Sequence, residues 1–303
     1  MFCRSIAAFF IPVVFPMVNV SAQEAIPRAI SEWSVSFGSS YFLSPWNNFN
    51  QYYKQVKANI SSDPDISDLQ MHVGTVNSMV EWSGRIRYRF SENASISGFF
   101  SYSGRETGVQ AQYHWRTTTD ERHARDFWFE AIAAGLGYSL EIKLASGIRG
   151  FIGADLGLAR GMLDVTYEVK RFVNQQSGNL DRYSARLGNN AVVVSPRLGV
   201  IYRISSTLRV EGTLTYRFLT FSKLTGGGTG KISTFSGNSS IWTESHSAAE
   251  LVGDGNSWRL RFDPAFASPF IGDLDRAVPS NGSSTIPFDL SAPGISLSVL
   301  WML

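Results

Sequence analysis

Charged residues at alternating positions are the groups in this sequence best placed to do chemistry. Glu81, Arg85, Arg87 and Arg89 fall on one side of Val76–Phe90, because alternate side chains of an extended strand share a face. Later segments continue the pattern and complete a predicted charge network of Glu81, Arg85, Arg87, Arg149, Asp155, Arg197, Glu211 and Arg217. In one enclosed interior these carboxylates would pair with the arginines and fill it, because an unpaired buried charge is costly. The surplus of arginine leaves open a second interpretation, a narrow wet pore that favours anions.

Histidine is the other candidate for chemistry. His123 lies in the run Asp120–Asp126, among carboxylates that could make it a general base. A solvated, charged loop is the commoner role for such a run, and no serine–histidine spacing indicates a nucleophile. We therefore expect no enzymatic activity, no catalytic residue, no metal site and no cofactor.

A glycine-rich run, Thr225–Lys231, resembles a phosphate-binding loop only superficially. That loop needs glycine where Thr225 stands, serine or threonine where Ile232 stands, and a helix afterwards. The run therefore predicts a flexible loop.

Eight extended segments must position the charged residues. Their alternation predicts strands at Trp33–Leu43, Val76–Phe90, Ala94–Gly104, Trp128–Leu140, Ile148–Ala159, Val192–Ile204, Leu208–Phe221 and Ile295–Leu303. Short connections at Ser91–Asn93, Glu141–Gly147 and Ser205–Thr207 alternate with long polar stretches. Short turns at one end and long loops at the other are typical of a transmembrane barrel. The prediction is an all-β, up-and-down antiparallel barrel of eight strands with long extracellular loops.

Two further patterns bear on the barrel. Trp258–Phe262, inside the long stretch 222–287, leaves ten strands as an alternative, although we expect a hairpin above the membrane. Aromatic residues near the periplasmic strand ends predict an interfacial girdle, formed by Trp33, Tyr88, Tyr138, Tyr202 and Trp301.

The first residues predict export. Arg4, the apolar stretch Ile6–Val18 and the small-residue site Val20–Ala22 indicate a signal peptide, residues 1–22, cleaved after Ala22. The barrel domain is then 23–303. Cys3 is the only cysteine, so the mature chain would have neither a disulfide nor a zinc–thiolate site. A formal net charge of +2, +1 after removal of Arg4, gives no case for nucleic acid as a partner.

The C-terminus resembles the insertion signal of outer-membrane barrels through Ser296, Ser298, Trp301 and Leu303, although glycine and phenylalanine are usual where Ser298 and Leu303 stand. The whole layout resembles the small OmpA-, OmpX- and OmpW-like barrels of Gram-negative bacteria. The resemblance implies an outer-membrane location, with membrane lipid and the barrel-assembly machinery as partners. It also implies a structural or binding role at the cell surface, towards an extracellular ligand or a host surface. A narrow passive channel and a loop-borne surface hydrolase are the alternatives.

Overall fold

The computed structural model describes residues 32–43, 57–58, 61–62, 64–115, 119–173, 176–233, 241–253, 258–262, 284–285 and 288–303. Its strands are β1 Glu32–Leu43, β2 Ile66–Val73, β3 Ser78–Arg89, β4 Ala94–Trp115, β5 Thr119–Ala145, β6 Ile148–Val173, β7 Gln176–Arg203, β8 Leu208–Phe221, β9 Thr225–Ser233, β10 Ile241–Gly253, β11 Trp258–Phe262, β12 Ser284–Thr285, β13 Phe288–Asp289 and β14 Ala292–Met302. Within these ranges, no helix has the length and apolar character needed to cross a bilayer. The predicted signal peptide lies outside the described residues.

Eight of the strands close into a ring. Each of β3 to β8 pairs antiparallel with the next ring strand, β8 pairs with β14, and β1 pairs with both β14 and β3. Val35, for example, lies opposite Trp301 on one side and Ile86 on the other. Closure leaves no free sheet edge in the ring. The prediction of an eight-stranded, up-and-down antiparallel barrel is confirmed.

Four ring strands are much longer than the alternation indicated. β4, β5, β6 and β7 contain 22, 27, 26 and 28 residues, and their pairing continues past the stretches that were expected to be polar loops. The expectation of a loop around His123 was wrong, because Val109, Ala111 and Tyr113 of β4 still alternate with polar residues and point into the interior. We call these upper parts, together with β2, β9, β10 and β11, the extension.

The strands β9, β10 and β11 lie outside the ring. β9 pairs with the upper part of β7, β10 with β9, and β11 with β10, so Trp258–Phe262 belongs to a hairpin and the ten-stranded alternative is wrong. The prediction of a flexible glycine loop was also wrong, since Thr225–Lys231 lies in β9. A Cβ at Gly226 would lie 1.8 Å from the carbonyl oxygen of Arg186. The glycine there allows the close approach of β9 to β7.

The outer face of the lower ring is apolar. Outward positions of β5 from Ile132 to Leu144 are hydrophobic, and Leu136 in their middle is 74% exposed. In the described ring strands the outward positions at these levels carry no charged residue. Thirteen residues at about 3.3 Å each, tilted by about 40°, give an apolar band roughly 30 Å tall. The fold thus separates an apolar exterior from the polar interior that holds the charge network.

Candidate functional site

The deepest charges of the interior form one connected group. Arg85 on β3 donates two hydrogen bonds to the Asp155 carboxylate on β6, at 2.9 and 2.6 Å. Arg197 on β7 lies 3.0 Å from the same carboxylate and 3.8 Å from that of Glu211. Arg87 donates to Glu211 at 2.5 Å. Three guanidinium groups therefore share two carboxylates.

A separate ion pair lies toward the extension. Arg217 on β8 donates to Glu81 at 2.8 Å and also contacts the Leu290 carbonyl oxygen. Its guanidinium lies 4.0 Å from the centre of the Phe42 ring. Arg217 is 2% exposed, so this pair is screened from water.

A third group of charges lies at the short-turn end. Arg89 contacts Glu32 at 2.5 Å and Glu141 at 3.1 Å, and Arg209 contacts Glu32 at 2.7 Å. Arg149 was expected to pair with the deeper carboxylates, but it contacts Glu141 at 3.5 Å. Glu141 was missed because β5 was expected to end at Leu140. The alternation of Leu140, Ile142 and Leu144 outward could have placed it inside.

Above the charges, the barrel interior becomes apolar. An apolar layer consists of Phe129, Phe221, Leu224, Phe288 and Leu290, all of them nearly or completely inaccessible to solvent. The Phe129 ring packs against Phe288 at 4.8 Å and Phe221 at 6.2 Å between centroids. Between this layer and the short-turn end, a cavity of about 70 Å³ remains among the charged side chains.

The space is too small for a continuous water file. Such a file across about 30 Å would need roughly ten molecules, each occupying at least about 10–15 Å³. The cavity of about 70 Å³ holds roughly half that number. Among the described residues, this cavity alone does not form a continuous water path, and the apolar layer lies above it.

His123 belongs to a second buried polar cluster, inside the extension. Its Nε2 lies 2.8 Å from Glu121 Oε2 and 2.7 Å from the Tyr113 hydroxyl, and its Nδ1 lies 3.1 Å from the Tyr167 hydroxyl. The Arg171 Nε donates to Glu121 at 2.8 Å. Burial alone would raise the pKa of Glu121, but its hydrogen bond and charge interaction with His123, with Arg171 and Tyr113 contributing, lower that pKa to about 2.

This arrangement bears on the role of His123. The His123 side chain is 1% exposed, which favours a structural role over that of a general base for an external substrate. His114 contacts Asp120 and is partly exposed, while His72 lies on β2 and His246 on β10. No described hydrogen bond joins His72 or His114 to His123.

The outer face of the extension carries a polar groove of about 490 Å³ between β2, β4, β5 and β6. Its lining includes His72, Gln110, Gln112, Arg122 and Lys170. Arg122 lies opposite both Gln112 and Lys170 in the sheet. Sequence reasoning missed this groove, because it needs the strands that were expected to be loops.

The predicted aromatic girdle lies outside the barrel at the short-turn end. Trp33, Tyr138, Tyr202 and Trp301 are 46–55% exposed, and the Trp33 and Tyr88 rings are 4.7 Å apart. In the predicted insertion signal, Ser296 and Ser298 line the lumen cavity. Trp301 points outward, and the Leu303 N–H donates to the Trp33 carbonyl at 3.0 Å. The roles of girdle and insertion signal stay predictions.

Comparisons with known proteins give structural likenesses only. No family model matches the chain, and no curated protein matches it. The attachment invasion locus protein Ail of Yersinia pestis is 9% identical, with 90% of this chain and 99% of that chain covered and a TM-score of 0.30. The outer membrane protein OprG from Pseudomonas aeruginosa is 8% identical, over 91% and 98%, at 0.36. The outer membrane protease OmpT from Escherichia coli is 10% identical, over 93% and 100%, at 0.31. Likenesses this weak carry no functional argument.

Proposed function

We propose that this chain is an integral outer-membrane protein whose role is carried at the cell surface by the extension. The length of β4 to β7 carries this proposal. A transmembrane strand needs about 9–11 residues, whereas these four strands have 22–28. About half of each strand is thus left to build a sheet beyond the membrane, where β2 and β9 add to it.

The apolar band supports insertion in a bilayer. Its hydrophobic outward side chains, including Leu136, Leu158 and Leu198, are 57–74% exposed, which would be unfavourable in water over so large a surface. Polar outward residues begin at Arg160 and Asn190, which pair with each other across β6 and β7. This change marks the outer boundary of the band.

A structural or binding role fits the interior better than a channel does. The ion-paired lumen and the apolar layer both obstruct the axis, as described above. The arginine surplus favours the channel alternative, and conductance across a planar lipid bilayer tests it. We expect no conductance from the refolded protein; a steady conductance that falls on Arg85→Ala would support the channel instead.

Labelling on intact cells tests the surface role directly. The only natural cysteine is Cys3, so single cysteines report cleanly. Gln110→Cys lies on the outer face of the extension, and Ser206→Cys lies in the short turn between β7 and β8. A membrane-impermeant maleimide should label Gln110→Cys on intact cells and Ser206→Cys only after the outer membrane is permeabilised. The reverse pattern would contradict the proposed orientation.

The groove on the extension is the part of this surface best shaped to hold a ligand. It combines a volume of about 490 Å³ with amide groups and the cations Arg122 and Lys170. Glu168 contacts Lys170 at 2.6 Å, so Arg122 is the cation of the pair with no carboxylate contact among the described residues. A bulky adduct on Gln110→Cys should therefore prevent a ligand from binding in the groove. The same adduct on Ser184→Cys, outside the groove, should leave that binding intact.

A further inference from the structure

The deep lumen holds more positive than negative charge. Arg85, Arg87 and Arg197 make their direct ion pairs with Asp155 and Glu211, while Arg217 and Glu81 balance each other. The Glu141 carboxylate also attracts Arg87, but it is in direct contact with Arg89 and Arg149. Among the described residues, the deep lumen therefore has a surplus of one positive charge.

Arg197 is the cation with the poorest partners. It is 7% exposed, its Nε lies 3.0 Å from Asp155 Oδ2 but not in hydrogen-bond geometry, and one of its terminal nitrogens donates only to Ser139 at 3.3 Å. Arg85, in contrast, holds Asp155 with two short hydrogen bonds, and Arg87 holds Glu211 with one. A guanidinium has five N–H donors, and leaving them unsatisfied in a buried site is unfavourable.

The lumen cavity lies directly beside this group. Its volume is about 70 Å³, and its lining includes Arg197 and Arg85 together with the hydroxyl groups of Ser101, Ser195, Thr213 and Thr215. Guanidinium and hydroxyl groups are donors that can surround a small anion. The carboxylates in the lining are Asp155, Glu81 and Glu211, and each is already paired with arginine.

We propose that this cavity binds a small monovalent anion of halide size, with Arg197 as its main contact. Water could satisfy the N–H donors, but only an anion also balances the surplus charge. An unbalanced charge surrounded by lipid is strongly unfavourable. The inference rests on the proposed insertion in a membrane, because lipid around the barrel keeps solvent ions away from the outside of the wall that surrounds these charges.

The anion requirement makes folding depend on chloride. The protein is refolded in detergent micelles, and heat-modifiable mobility on a gel reports that it has folded. It is then unfolded with urea in sodium chloride and in sodium gluconate at equal ionic strength, and the two stabilities are compared. Gluconate controls for screening and is too large for the cavity. A single site raises the folding equilibrium constant by up to about tenfold for each tenfold rise in chloride above its dissociation constant. Bromide should act like chloride.

Matched variants locate the effect. Arg197→Met should remove the difference between chloride and gluconate, whereas Arg149→Met should keep it, because Arg149 lies at the mouth, contacts Glu141 and does not line the cavity. Ser139→Asp should also remove the difference, since it places a fixed carboxylate where Arg197 now contacts the serine hydroxyl. This second variant keeps the test decisive if Arg197→Met does not fold.

The outcomes separate the two proposals. An inserted barrel with equal stability in chloride and gluconate, or a chloride effect that survives both Arg197→Met and Ser139→Asp, would overturn the anion site and leave the proposed function standing. A protein that shows no heat-modifiable mobility and no insertion would contradict the proposed function itself. Loss of the chloride effect in both lumen variants, with Arg149→Met unchanged, is the expected result.

Discussion

Replacing Asp155 by asparagine should destabilise the barrel strongly. Asp155 is 6% exposed and contacts both Arg85, at 2.6 Å, and Arg197, at 3.0 Å. Removing the charge of one partner in a buried ion pair typically costs about 3–5 kcal/mol, because the other charge stays buried without compensation. Here Arg85 loses its carboxylate, and Arg197 keeps only the longer contact with Glu211, at 3.8 Å. We therefore expect a loss of about 3–5 kcal/mol in the free energy of unfolding.

The surface offers a matched control for this change. Asp164 also accepts two hydrogen bonds from one arginine, Arg186, at 2.6 and 2.5 Å, but the Arg186 side chain is 72% exposed. Exposed pairs contribute about 0–1 kcal/mol. Asp164→Asn should therefore lower the free energy of unfolding far less than Asp155→Asn does, although its hydrogen-bond geometry is nearly the same. The difference between the two variants isolates the effect of burial.

Reversible urea unfolding, followed by tryptophan fluorescence, measures both variants. With a slope of about 1–3 kcal/mol per molar urea, Asp155→Asn should lower the midpoint by roughly 1–5 M. Adding Arg85→Met to Asp155→Asn should recover part of the loss, since it removes one of the unpaired cations. Equal losses for Asp155→Asn and Asp164→Asn would refute the view that lumen burial gives the ion pairs their importance.

Three further predictions concern the extension, the lipid face and the apolar layer. The pKa of Glu121 is lowered from 4.5 to about 2, so its contribution to stability is complete above about pH 4.5 and is lost toward pH 2, by roughly 3 kcal/mol. The protection of amides in the extension from hydrogen exchange, taken relative to their intrinsic exchange rate at each pH, should fall over that window, and less so in Glu121→Gln. Leu136→Arg, in the middle of the band, should cost about 2–4 kcal/mol in lipid vesicles, whereas Thr166→Arg on the extension, which lies opposite Asp126 and Ser184, should stay within about 0.5 kcal/mol. Phe221→Ala, at 0% exposure, should cost about 3–5 kcal/mol. It should not produce conductance, because the ion pairs below the apolar layer remain. A conducting variant would contradict the view that the apolar layer and the ion pairs each block the lumen.

The sequence predicts the ring well because lipid and lumen impose opposite chemistry on alternate positions. Alternation along β3 puts Val80, Trp82 and Ile86 on the face opposite the charges, and they are 45–54% exposed on the outer face. The same physical rule fails above the membrane. In the extension the outer face is polar, so the inward apolar residues, such as Val109 and Val165, are the only part of the sequence pattern that indicates a strand. For this reason the upper parts of β4 to β7 resemble polar loops in the sequence.

The pairing inside the lumen could be predicted only in part. Alternation puts Arg149 and Asp155 inside, but it does not fix which carboxylate a given arginine reaches. That choice depends on how the tilted strands align across the barrel. Arg149 reaches Glu141 of the neighbouring β5 because the two strands pair antiparallel next to their short turn, where Lys143 lies opposite Arg149.

The arginines of β3 explain how the barrel keeps one register. Arg85 reaches Asp155 on β6, Arg87 reaches Glu211 on β8, and Arg89 reaches Glu32 on β1 and Glu141 on β5. A slip of β3 by one residue would turn all three arginines into lipid, at about 2–4 kcal/mol for a position near the midplane and about 0–1 kcal/mol near the interface, where Arg89 lies. A slip by two residues would keep them inside but move each by about 7 Å, which is too far for the ion pairs. Three inward charges spaced two residues apart thus specify the alignment of β3 with four other strands.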